Sequence, residues 1–206
     1  MDINKILGIT DSHEAPERIM QILMNKKERE RIFKEMLKLF NYKTDIDWFH
    51  EYFQEHLANK KGMGQVFTPM EVARLLTKIV NSNEENSSGF YYEPCAGTGG
   101  ICIAQWVAHK EQCSDYKPSM FLYTLEELSA QVLPFLIFNL AIRGMNAIVI
   151  HCDTLTRESY GVFFIHNKED DYMQFSNINV MPYIPEIEHF LRIKFIDQRY
   201  KDYFKP

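Results

Sequence analysis

The chain holds no cysteine pair at metal-ligand spacing: Cys95, Cys102, Cys113 and Cys152 include no Cys-x-x-Cys. A zinc-ribbon arrangement is thereby excluded, and since the four lie in segments that read as strand, helix or turn, they are expected to be reduced packing residues. Positive charge is not in excess either, because 23 Lys and Arg stand against 28 Asp and Glu for a formal net charge of −5. The molecule as a whole does not attract polyanions, so any DNA contact must use a local basic surface or be supplied by a partner. No apolar run is long enough to span a bilayer and no charged-then-apolar leader opens the chain. No membrane association is expected, and the expected location is cytoplasmic. Internal repeats and low-complexity tracts are absent as well, which excludes a solenoid.

What is present is an ordinary globular composition, with 46% hydrophobic and 25% charged residues among 206, enough for one substantial core. From Ala15 to Phe40 apolar residues recur at helical spacing, in Ile19, Ile22, Leu23, Ile32, Met36 and Leu37. That spacing predicts a helix pair or one broken helix. The interleaved run from Lys26 to Lys38 alternates basic residues with Glu28, Glu30 and Glu35, as on a solvated helix face. Asp45 is placed to cap a following helix whose stripe of Trp48, Phe49, Tyr52, Phe53 and Leu57 is expected to face the core. Residues 1–60 thus form an N-terminal helical region, and residues 61–206 the main domain.

In the main domain Thr68 can cap, and Pro69 can open, a helix from Met70 to Val80. A polar connection over Asn81 to Ser88 leads to a strand at Phe90-Tyr91-Tyr92, a helix from Ile101, a strand at Met120 to Thr124, a helix from Ser129 to Arg143 stopped by Gly144, and a strand at Ala147 to His151. Alternation of this kind predicts crossovers onto a parallel sheet, an α/β fold. Two further apolar runs, Val162 to Ile165 and Phe175 to Val180, flank a polar turn and predict a hairpin. The tail from Glu186 interleaves Arg192, Lys194 and Arg199 with Phe190, Phe195 and Tyr200. Such a pattern can hold single-stranded nucleic acid, but an amphipathic terminal element is the simpler reading.

The chemistry concentrates at the ends of the predicted strands. Glu93-Pro94-Cys95-Ala96-Gly97-Thr98-Gly99-Gly100 joins the first strand to its helix. Glycines there let backbone approach a ligand, and the helix start presents free N–H groups at the carboxyl end of the sheet. A nucleoside needs a carboxylate at the end of the second strand for its ribose hydroxyls, where Glu126 and Glu127 stand, and a polar group at the end of the third for its base, where Asp153 stands.

Gly64-Gln65-Val66-Phe67-Thr68-Pro69, the glycine turn, Glu127, Asn139-Leu140, Arg143-Gly144 and Asp153-Thr154-Leu155 occur in the order and spacing of the N-6 adenine DNA methylase family. Over Lys60 to Thr156 the chain resembles the modification subunits of type I restriction systems. The resemblance implies a Rossmann-like S-adenosylmethionine-dependent methyltransferase core. It implies that Phe67 and Thr68 pack on the cofactor and bond its amino-acid end, that Glu93, Pro94, Ala96, Gly97 and Gly99 surround the methionine moiety, that Glu127 holds the ribose and that Asp153 meets the adenine amino group. Glu126 is the expected bystander.

The family's base pocket uses Asn-Pro-Pro followed by Tyr or Phe to accept the hydrogens of a flipped adenine and stack on it. This chain has no Pro-Pro pair; the nearest string is Asn179-Val180-Met181-Pro182-Tyr183. Asn179, Pro182 and Tyr183 are therefore candidate catalytic residues in a distorted loop, or else a plain turn after the hairpin. Too few residues follow the glycine turn for a complete methyltransferase sheet or a separate target-recognition domain. The sequence leaves open a DNA adenine methyltransferase, a cofactor-binding relative that has lost methyl transfer and acts through a nucleic-acid or protein partner, and methylation of a non-DNA acceptor. A shortened sheet with an open edge also predicts self-association or a specificity partner.

Overall fold

The computed structural model describes residues 2–56, 68–81 and 89–204. Four N-terminal helices, α1 (Ile3–Leu7), α2 (Ala15–Met24), α3 (Lys26–Leu39) and α4 (His50–His56), precede α5 (Met70–Val80). The alternating part then runs β1 (Phe90–Glu93), α6 (Gly100–Gln112), β2 (Leu122–Glu127), α7 (Leu133–Ile142) and β3 (Ala147–Cys152). After it come β4 (Glu158–His166), β5 (Asn177–Val180), α8 (Pro185–Leu191) and β6 (Lys194–Phe195).

The strands form a mostly parallel six-stranded sheet in the order β1-β2-β3-β4-β5, with β6 beside the start of β4. Strands β1, β2 and β3 are parallel neighbours joined through α6 and α7, as the alternation predicts. Then the chain turns back: β4 lies antiparallel beside β3, and β5 antiparallel beside β4 with Phe163 opposite Val180. The predicted hairpin is thus the outer part of the same sheet.

Helix α7 is buried at all ten positions. A helix apolar on every side needs cover on every side, and it has the sheet beneath and the N-terminal helices above. Phe33 meets Phe138 edge-on at 4.5 Å, and Phe49 packs against Phe135 at 5.0 Å and Phe138 at 5.1 Å. Residues from both sides of position 60 share this core, from Ile6 and Ile22 to Leu125, Val149 and Phe163. A smaller cluster of Ile150, Cys152, Val162 and Ile193 lies on the sheet's other face.

Several local expectations are corrected. Asp45 caps nothing and instead pairs with Arg74 at 3.2 Å on the surface, while Asp47 accepts the Phe49 N–H at 3.0 Å. No side chain caps α5, and Pro69 stands just before its first residue. In the basic run Arg31 pairs with Glu35 on the surface, but Arg29 is buried and donates to the Leu23 carbonyl. Cys95 is exposed, whereas Cys102 and Cys152 are buried. Gly144 does end α7, at φ +67°, a conformation that costs a residue with Cβ more than glycine. Of the tail aromatics Tyr200 is buried, bonded through its hydroxyl to His151 Nδ1 at 2.6 Å, while Phe190 is exposed.

Candidate functional site

Parallel pairing of β1 and β2 brings their carboxyl ends side by side, and the glycine turn folds over them. Cys95, Gly97 and Gly99 have φ of +57°, +59° and +94°, the left-handed region in which glycine is least strained. A Cβ on Gly99 would also stand 2.9 Å from Leu136 Cδ1. The turn is anchored to β2 by Ala96 N–H donating to the Glu126 carbonyl at 2.8 Å and Gly97 N–H donating to Glu127 Oε2 at 2.9 Å. Glu127 Oε1 accepts from Ser129 N–H at 2.7 Å, so one carboxylate ties the turn to the loop that follows β2.

Under the turn lies a cavity of about 230 Å³ lined by Asp47, His50, Thr68, Glu93, Ala96, Gly97, Thr98, Gly100 and Glu127, among others. Sites for whole drug-sized ligands usually span about 300–1,000 Å³. A cavity of this size holds part of such a ligand.

The acids differ in their surroundings. Glu93 is buried and accepts from Tyr91 Oη at 2.9 Å, and burial pushes its carboxyl up to about 7. Glu127 is also raised by burial, opposed by the backbone N–H groups of Ser129 and Gly97. Glu126 has both oxygens on Arg157 Nη1, at 2.8 and 2.7 Å, outside the cavity lining. It is an ion-paired structural acid.

Glu93 gives a pH dependence of known sign. A carboxyl raised from 4.5 to about 7 holds its proton in the folded chain where the unfolded chain has lost it. Its stabilising contribution is complete below pH 4.5 and is lost as pH rises to about 7, by about 3 kcal/mol. His109 and His151, both lowered to about 4 by burial, act in the opposite sense in both proteins. Urea unfolding at pH 5 and pH 8 should therefore show the Glu93 contribution as the difference between the pH response of the ligand-free wild type and that of Glu93→Gln. An equal pH response in both proteins would remove the assignment.

The sequence-derived residues divide. Thr68, Glu93, Ala96, Gly97 and Glu127 meet at the cavity; Pro94 and Gly99 shape the turn without lining it. Phe67 lies outside the described residues. Asp153 follows β3, where its Oδ1 accepts from Leu155 N–H at 2.8 Å and Thr156 N–H at 3.1 Å, clear of the cavity. Asn179 is not brought to the turn. It is exposed on β5, four strand positions from β1, roughly 19 Å at about 4.8 Å per strand. Tyr183 Oη donates to the Tyr160 carbonyl at 3.0 Å and accepts from Tyr200 N–H at 2.9 Å, so that ring holds the tail, and Pro182 adjoins it.

Among the lining residues that the sequence does not point to are two polar ones, Asp47 and His50, both from the N-terminal region. Asp47 Oδ1 accepts from Asn139 Nδ2 at 2.8 Å, and its Oδ2 accepts from Thr98 Oγ1. The signal in the sequence is the string Asp45-Ile46-Asp47-Trp48, in which Asp47 and not Asp45 accepts the backbone N–H of Phe49.

A mostly parallel sheet carrying a glycine-rich strand-to-helix turn over an acidic cavity is the architecture of a Rossmann-like methyltransferase. The chain belongs to the N-6 DNA Methylase family: the family's model matches residues 44–181, more than half of the chain. The matched span takes in Asp47 and His50, crosses position 60 and stops before Pro182 and Tyr183. No curated protein and no solved structure matches the chain.

Proposed function

We propose that the chain binds S-adenosylmethionine, or its demethylated product, with the amino-acid end in the cavity below the glycine turn and the nucleoside along the ends of β2 and β3. The observation that carries this reading is the convergence of Glu93, Glu127 and the turn's backbone on one cavity. Two buried carboxyls suit a ligand end bearing an ammonium or sulfonium charge. In this reading Glu127 would accept from the ribose hydroxyls, and Asp153, beyond β3, would meet the base with Oδ2, since its Oδ1 is used in its own turn. The acceptor class implied by the family is adenine in DNA, in a restriction-modification setting.

Titration calorimetry with S-adenosylhomocysteine tests the reading. Binding is expected, and Glu127→Ala should weaken it by about 1–3 kcal/mol, the usual cost of an unpaired buried polar group. No heat at millimolar ligand would overturn the proposal.

A second reading rests on the position of Asn179. With that residue on β5, the chain is read as a catalytically impaired cofactor-binding member of the family that acts through a protein or nucleic-acid partner. Self-association belongs to the same reading: α5 exposes Leu75 at 58% and Val80 at 62%, and β1 exposes Tyr92 at 54%. Exposed large apolar side chains of this kind are candidates for interaction sites. Light scattering is expected to report a dimer that Leu75→Glu with Tyr92→Glu dissociates, and a monomer across the accessible concentrations would count against it.

A further inference from the structure

We infer that Asp47 is a positioning residue for the amino-acid end of the cofactor, acting through Thr98; the inference rests on the cofactor-binding reading above. Thr98 sits between two glycines at φ +59° and +94°. Glycine neighbours leave its peptide planes many alternatives, and a turn that aims N–H groups at a ligand must select one. The selection is made from outside the turn. Asp47 takes the Thr98 hydroxyl, while Asn139 Nδ2 bridges the Thr98 carbonyl and Asp47 Oδ1, at 2.8 Å to each. Asp47 itself cannot turn away, because the Phe49 N–H fixes Oδ1 at 3.0 Å and the side chain is 7% exposed.

The location makes this more than a packing contact. Asp47 lines the cavity wall beside His50 and Thr68, and its Oδ2 stands 3.8 Å from where a Cβ on Gly100 would be, against the first residue of α6. Negative charge is favoured at the start of a thirteen-residue helix. With that place taken by Asp47, and Glu93 lining the same cavity, the part of the zwitterionic amino-acid end that fits beside them is its ammonium group. The N-terminal region therefore supplies part of the ligand site.

The consequence is selective. Loss of Asp47 disturbs the turn and the amino-acid end, and leaves the nucleoside held by Glu127 and Asp153. Calorimetry on the full chain should compare S-adenosylhomocysteine with 5′-methylthioadenosine, which keeps the nucleoside and thioether but lacks the amino-acid end. Asp47→Asn is expected to weaken the first about tenfold or more and the second by less than about twofold. Thr98→Val, which removes only the hydroxyl, should show the same selectivity, and it decides the matter if Asp47→Asn fails to fold. Equal losses for both ligands would assign Asp47 to stability alone, and unchanged affinity for both would equally overturn the inference. A wild-type chain that binds neither ligand would remove the cofactor reading itself, a result distinguishable from either.

Discussion

Arg143→Ala is expected to lower the unfolding free energy by about 3–5 kcal/mol, the range for breaking a buried charged network by removing one partner. The guanidinium is 1% exposed and donates to the Thr44 carbonyl at 2.8 Å, the Ile46 carbonyl at 2.5 Å, the Asn139 carbonyl at 2.7 Å and Asn139 Oδ1 at 2.9 Å. It also lies over the Trp48 ring at 5.2 Å. Burial lowers its pKa to about 10, and the charge of Asp47 opposes that shift. An alanine would leave these carbonyls without donors, remove the cation that balances Asp47 and detach the segment that docks the N-terminal helices on α7. Thermal unfolding should shift down by roughly 10 °C for a chain of this size. Arg143→Lys, which keeps the charge without the planar fork, should recover only part of the loss. Urea unfolding followed by circular dichroism measures both variants; a loss under about 1 kcal/mol would show the network to be marginal.

Methyl transfer to DNA by the chain alone is expected to run at least about a hundredfold below a site with paired oxygen acceptors for the adenine amine. Removing one such stabilising group typically costs roughly 3–4 kcal/mol of transition-state free energy. The physical reason is topological. Asn179 stands on β5, on the other side of β2, β3 and β4 from the glycine turn that ends β1, and the Tyr183 hydroxyl is already bonded to Tyr160 and Tyr200. Tritiated-methyl transfer to unmethylated genomic DNA should therefore be weak and the same in wild type and Asn179→Ala. Strong turnover abolished by Asn179→Ala would show the loop to be a working base pocket and the placement of β5 to be irrelevant to catalysis.

The glycine turn and the strand-end acids that line the cavity are legible in the sequence because each of these parts is local. Phe90-Tyr91-Tyr92 reads as a strand from side-chain shape, Glu93 to Gly100 as a turn from its glycines, and Glu127 as a strand-end acid from its distance to both. These features keep their meaning wherever the strands are placed. Glu126 and Glu127 were separable only in part from sequence; alternation along β2 puts them on opposite faces, and the structure gives Glu126 to Arg157 and Glu127 to the turn. The aromatic stripe was equally plain in its period, but what it covers was not. That α7 lies beneath Phe49 and Phe53 is a contact between distant segments, and period says nothing about partners.

The sequence by itself determined the succession of strands, turns and helices along the central sheet, the family, and Glu93 and Glu127 as strand-end acids that line the cavity. Glycine conformation, aromatic and apolar periodicity and strand-end position act within a few residues. Only the tertiary structure decided which aspartate of the Asp45 to Asp47 string enters the site, and on which side of the sheet the chain places Asn179. The first depends on Arg143 and Asn139, nearly a hundred residues away, drawing Asp47 rather than Asp45 under the turn. The second depends on whether the chain after Asp153 pairs with β3 or crosses to β1. Both edges offer hydrogen bonds to an apolar strand, and the short connection from Cys152 to Glu158 reaches the neighbouring edge only by turning back antiparallel.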